Sequence, residues 1–187
     1  LGYKPGTVIG APVDAHRLPP MDEAVISGQT IQLCGIDGQI FDVSGHTLGH
    51  LALHIPAIKA VFTADSLMAM GCGRLFEGTP AQMWQSLLKL RDLPGDTLVY
   101  SGHEYTASNA KFALTIEPNN TDLIARAADI AKTRASDGFT VPATIGLEIA
   151  TNPFMRANNP LVKQAIGMAD ASDAATFGEI RTRKDNF

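Results

Sequence analysis

Apolar positions in the first hundred residues fall into short runs of Val, Ile, Leu and Phe bounded by Gly, Pro and Asp. That punctuation predicts strands at 7–12, 30–34, 39–43, 51–55, 60–63 and 97–101. Asp37-Gly38, between the second and third of these, reads as a hairpin turn. Residues 51–55 alternate weakly, as a half-covered strand does. One helix interrupts the series. Thr79-Pro80-Ala81-Gln82 offers an N-cap, a proline at the first helical position and a glutamine three residues after the cap. Met83, Trp84, Leu87 and Leu88 follow as an apolar stripe at helical spacing, and Pro94-Gly95 marks the end. From Thr106 onward the period is helical. Predicted helices run over 107–116, 121–135 (through Leu123, Ile124, Ala127, Ala128 and Ile130, stopping at Asp137-Gly138), 160–168 and 172–183. The shift near residue 106 divides the chain into a β-rich unit, 1–105, and a helical unit, 106–187.

Composition narrows the class without changing this outline. With 187 residues, 45% of them hydrophobic and 18% charged, the chain supports one good core or a core with a small appended domain. A net charge of −4 and the absence of a basic stripe exclude an ordinary nucleic-acid binder. Two cysteines, Cys34 and Cys72, are too few for a disulfide framework. No apolar run reaches ~18 residues, so no membrane span is expected. No charged-then-apolar leader opens the chain, and a cytoplasmic location is expected. The chain opens on Leu1, and its first ten residues read as the interior of a domain, which suggests an N-terminally shortened sequence.

Three short runs place a metal-capable side chain after a predicted strand: Val43-Ser44-Gly45-His46-Thr47-Leu48-Gly49-His50, Phe62-Thr63-Ala64-Asp65-Ser66 and Ser101-Gly102-His103-Glu104-Tyr105. Imidazole and carboxylate suit zinc, iron(II) or manganese at hydrolytic sites. A carboxylate has two oxygens, so Asp65 can hold one ion with each, His46 serving one and His103 the other. Each residue has a plainer reading. A lone strand-end histidine is usually hydrogen-bonded surface, Asp65 before Ser66 can be a turn former, and Gly45-His46-Thr47 resembles a tight turn. The plain readings lose force when all three coincide. His50 fits a supporting hydrogen bond to its neighbour. His16 and His54 read as structural or exposed, and Cys72 as a small buried hydrophobe.

These runs, with Gly71-Cys72-Gly73-Arg74-Leu75-Phe76-Glu77-Gly78-Thr79, Asn152-Pro153-Phe154-Met155-Arg156 and the closing Arg181-Thr182-Arg183-Lys184-Asp185-Asn186-Phe187, resemble glyoxalase II. This is the hydroxyacylglutathione hydrolase family of the metallo-β-lactamase superfamily. The resemblance implies an α/β fold, a partial αββα sandwich followed by a C-terminal helical substrate domain. It implies hydrolysis of S-D-lactoylglutathione to D-lactate and glutathione by a hydroxide bridging two divalent metal ions, zinc first, with iron or manganese as alternatives. It implies methylglyoxal detoxification as the setting, a small-molecule thioester as the partner, no nucleic acid or membrane, and a monomer. The matching metal positions are His46, Asp65 and His103. The matching glutathione-contacting positions are Arg74, Phe76, Tyr105, Arg181 and Lys184. Phe76 stands where some members have Tyr, Arg74 where some have Lys, and Ala64 where Gly is common, a change expected to leave the site undisturbed. In a helical tail Arg181 and Lys184 share a face while Arg183 points elsewhere.

The family's N-terminal Thr-His-x-His-x-Asp-His loop has no match, so Leu1 is expected to lie downstream of it. Two protein donors per ion are fewer than the three usual at a catalytic zinc. Residues 1–187 alone are therefore expected to bind metal weakly, hydrolyse little, and leave sheet surface uncovered. Two alternatives stay open: a persulfide dioxygenase using one iron, and a non-catalytic domain that keeps the fold.

Overall fold

The computed structural model describes residues 6–187. The reading of the opening run falls in part on residues 1–5, outside the described residues. A six-stranded sheet carries the structure. Its strands are β3 (Thr30–Leu33), β4 (Ile36–Asp42), β5 (Leu51–Ile55), β6 (Ala60–Ala64), β9 (Leu98–Ser101) and β10 (Ala143–Thr144), in the order β10-β9-β6-β5-β4-β3. Two small pairs flank it, β1 (Ile9–Gly10) with β2 (Glu23–Ala24), and β7 (Leu67–Met68) with β8 (Gly71–Cys72). The helices are α1 (Pro80–Arg91), α2 (Thr106–Ile116), α3 (Thr121–Ala135), α4 (Ile145–Thr151), α5 (Pro160–Ala165) and α6 (Asp173–Asp185). Among the described residues no helix is long and apolar enough to cross a membrane.

The β3–β4 hairpin corrects one expectation. Leu33 pairs with Ile36, so the turn is Cys34-Gly35, both at positive φ (49° and 84°). Asp37-Gly38 lies inside β4 instead. Gly38 packs among Ile31, Leu33 and Leu53, where a Cβ would collide with the Leu53 side chain. The predicted strand at 7–12 shrinks to β1 because Pro12 opens a 3-10 turn, Pro12–Asp14. Helix α5 ends three residues before the predicted 168, while α6 runs on to Asp185.

Helix α1 forms where its cap predicts. The Thr79 side chain accepts from Gln82 N, and Gln82 returns the bond to Thr79 N. Met83, Trp84 and Leu87 of the predicted stripe are buried, with Leu90 in place of the partly buried Leu88, against Val43 and the sheet residues Ala52, Val61 and Val99, and Phe177 and Ile180 of α6 close the layer. Full burial of side chains of this size contributes about 1.5–3 kcal/mol each. The other sheet face carries Ile31 and Ile40 with Val25, the residue after β2, and Phe62 there is 41% exposed and stacked on Tyr100.

Strand direction places the chemistry. β4 pairs antiparallel with β5, β5 antiparallel with β6, and β6 parallel with β9. The C-terminal ends of β4, β6 and β9 therefore open at one edge, where open α/β sheets characteristically bind ligands.

Candidate functional site

His46, Asp65 and His103 leave those three strand ends and meet. His103 Nδ1 lies 2.6 Å from Asp65 Oδ1, and His46 Nε2 lies 3.6 Å from Asp65 Oδ2. Each carboxylate oxygen thus faces a different imidazole. The local backbone explains how. Ala64 sits at φ 45°, a left-handed kink at the end of β6 that turns Asp65 out of the strand, and its carbonyl accepts from Gly102 N at 2.7 Å. Gly73 runs against this turn so closely that a Cβ would collide with the Asp65 carbonyl oxygen and the His46 ring.

An alanine at positive φ carries about 1–2 kcal/mol of strain. The Gly-to-Ala difference noted in the sequence is therefore not neutral for the backbone. Ala64→Gly is expected to raise stability by about 0.5–1 kcal/mol after the added freedom of the unfolded glycine is subtracted, read as a higher urea midpoint at unchanged slope.

Neighbouring groups fix each ring. His46 Nδ1 lies 2.8 Å from the Arg74 carbonyl oxygen, which only accepts, so Nδ1 carries the proton. The lone pair on His46 Nε2 is then turned toward Asp65 Oδ2. His50 Nε2 accepts from Asp65 N at 3.0 Å while its Nδ1 faces Thr47 Oγ1 at 3.2 Å. Burial above all, and the neighbouring His46 imidazole after it, lower the His50 pKa, which favours the neutral ring in this supporting role. The loop holding His46 is tied down by Glu77, which accepts from Leu48 N at 2.8 Å and pairs with Arg17. The Arg17 bonds, then the Leu48 amide, hold the Glu77 carboxyl down to about 2. His103 stacks on Tyr105, ring centroids 5.3 Å apart.

A cavity of about 530 Å³ opens beside these groups and is lined by all the candidate ligand-contacting residues, Arg74, Phe76, Tyr105, Arg181 and Lys184, together with Cys72, Ser108 and Asn109. Phe76 (67% exposed) leans on the His46 ring at 5.0 Å. Arg181 is buried, donating to Cys72 O at 2.9 Å and Asp185 Oδ1 at 3.0 Å, with its Nε unpartnered. The Lys184 ammonium sits 5.2 Å and 5.0 Å from the centroids of Phe112 and Phe187. Burial, and secondarily Arg181, lower its pKa. Arg183 turns away to Glu179, as the helical spacing predicts. Cys72 is a free buried thiol pushed up to about 11, chiefly by burial. His54 is buried in the sheet and His16 is exposed. Ser108 and Asn109, which line the cavity, are not singled out by the sequence, nor is Asp185, which bonds two of its lining arginines from behind. Asp185 stands in the quoted tail, yet nothing local signals that it reaches Arg74.

Among the described residues, no three His, Cys, Asp or Glu side chains gather tightly enough to enclose one ion. The arrangement is instead one carboxylate between two imidazoles.

The description "Metallo-beta-lactamase superfamily" matches residues 13–103, and "Hydroxyacylglutathione hydrolase C-terminus" matches residues 104–187. The chain is 60% identical over 185 residues to a hydroxyacylglutathione hydrolase of Ruegeria pomeroyi, covering 99% of this chain and 72% of that protein. It is 59% identical over 180 residues to one from a Jannaschia species, covering 96% of this chain and 70% of that protein. Among solved structures, ETHE1 from Myxococcus xanthus superposes with a TM-score of 0.61 at 22% identity, covering 94% of this chain and 57% of that one. That likeness shows the fold alone.

Proposed function

We propose, from the fact that this chain belongs to the hydroxyacylglutathione hydrolase family of the metallo-β-lactamase superfamily, that it hydrolyses S-D-lactoylglutathione to D-lactate and glutathione. Identity of 60% to a named hydrolase favours this over the dioxygenase and inert-domain alternatives. The observation that carries the reading is Asp65, whose two oxygens face His46 and His103 at the mouth of a cavity walled by Arg74, Arg181 and Lys184.

The donor set fits divalent cations. His46 Nε2 and Asp65 Oδ2 face each other at 3.6 Å, and an imidazole nitrogen beside a carboxylate oxygen is a donor pair that divalent cations take. His46 and Asp65 would hold one ion, Asp65 and His103 the other; zinc is our first choice, iron or manganese the alternatives. Such ions supply an activated water at neutral pH and positive charge against the developing oxyanion. The remaining work belongs to the chain. The cations of the cavity pair with the carboxylates of the glutathionyl group, and Phe76 and Tyr105 flank the reacting end. The leaving thiolate, with a reference pKa of ~8.5, needs no dedicated acid. Residues 106–187 serve chiefly to bind the thioester, and the protein acts as a cytoplasmic monomer.

Protein equilibrated with zinc, iron(II) or manganese and then freed of loose metal should release thiol from S-D-lactoylglutathione in proportion to the ions retained. Thiol release independent of bound metal, or none at any metal content, would remove this reading.

A further inference from the structure

Arg74 is a long, half-exposed side chain that needs something to aim it. Among the described residues its one side-chain hydrogen bond is from Nε to Asp185 Oδ1, at 3.0 Å, from 111 residues away in sequence. The same oxygen accepts from Arg181 Nη2 at 3.0 Å. Arg181 is itself immobilised, with Nη1 on the Cys72 carbonyl and its guanidinium over the Phe154 ring at 5.1 Å. A rigid chain of contacts thus runs from the cavity floor through Arg181 and Asp185 to Arg74.

A guanidinium presents its donors in a fixed planar fork. Gripped at Nε, Arg74 has its plane set and its Nη1–Nη2 edge unpaired, on a residue that lines the cavity. That edge is the one that takes a carboxylate bidentately. Asp185 also places one negative charge among three cations that would otherwise repel.

We propose that Asp185 is a positioning residue, holding Arg74 by Nε so that its free edge receives a carboxylate of the glutathionyl ligand. The inference rests on the thioester-hydrolase reading, which places that ligand in this cavity. Its physical content is that Arg74 and Asp185 act as a unit. A lysine at position 74 keeps the charge but cannot be gripped at one atom and fork at two others.

The test uses the metal-loaded protein, with glutathione binding by calorimetry beside steady-state kinetics. Asp185→Asn is expected to weaken glutathione binding about tenfold, the loss of roughly one charge-assisted contact, and to raise KM likewise with kcat within about twofold. Arg74→Lys is expected to do the same, and the double variant to be no worse than about tenfold. Additive, roughly hundredfold loss in the double variant overturns the proposal, as does unchanged glutathione affinity in Asp185→Asn, or a fall in kcat at constant KM. Should Asp185→Asn fail to fold, Arg74→Lys decides, since it leaves Asp185 and Arg181 paired: retained affinity overturns the proposal. A wild-type protein that neither binds glutathione nor cleaves the thioester overturns the hydrolase reading itself.

Discussion

Asp65→Ala is expected to cut S-D-lactoylglutathione hydrolysis by about a thousandfold or more and to release both metal ions together. The carboxylate reaches both imidazoles, Oδ1 at 2.6 Å from His103 and Oδ2 at 3.6 Å from His46. Charge stabilisation by bound metal is worth several kcal/mol in the transition state, and each 1.4 kcal/mol is a factor of ten. The fold should survive. The Asp65 backbone amide keeps its bond to His50, and no buried partner is orphaned. Metal content and melting temperature are to be measured on the same samples. Asp65→Asn, with one carbonyl oxygen left as a donor, should keep at most one ion. Loss of only one ion in Asp65→Ala contradicts a shared carboxylate.

This site was the most legible part of the chain, for a physical reason. Each of the three residues is of a ligand type and follows a short apolar run, and parallel strand direction makes such positions converge. The α1 cap and the α3 bounds were equally readable, because capping and helical period are local. Three features were not. Cys34-Gly35 takes the hairpin from Asp37-Gly38 because both of its residues adopt the positive φ that a tight turn needs, while Gly38 lies inside β4, where the Leu53 side chain leaves no room for a Cβ. Strands β7 and β8 are two residues each, too short to show a period. Helix α4 has only seven residues, and tertiary contacts rather than intrinsic propensity hold it. The Asp185–Arg74 contact is of the same kind: it exists only once the tail helix has docked.

Those tertiary contacts centre on Glu148, and Glu148→Ala is expected to cost about 3–5 kcal/mol. Glu148 is fully buried in α4. It pairs with Arg126 of α3, accepts from Met70 N at 2.9 Å, and accepts from Asn152 Nδ2 at 2.9 Å. Asn152 donates in turn to Gly71 O at 3.0 Å. Met70, at φ 62°, is the turn of the β7–β8 hairpin, which starts two residues after Asp65 and ends two before Arg74. One carboxylate therefore joins two helices to the segment linking Asp65 to Arg74. Removing it leaves the Arg126 guanidinium, 7% exposed, without a counter-charge, and an unpaired buried charge costs far more than the net worth of the pair. At about 2–4 °C per kcal/mol for a chain of this size, the melting temperature should fall by roughly 10 °C. Arg126→Met combined with Glu148→Leu separates the causes. It removes both charges, so most of the loss should return. What does not return is owed to Met70 N, which an apolar side chain cannot satisfy, at about 1–3 kcal/mol for a buried group left unpaired; Asn152 Nδ2 keeps its bond to Gly71 O. Full recovery in the double variant would mean that the hairpin turn needs no anchor; no recovery would mean that the ion pair is not what Glu148→Ala breaks.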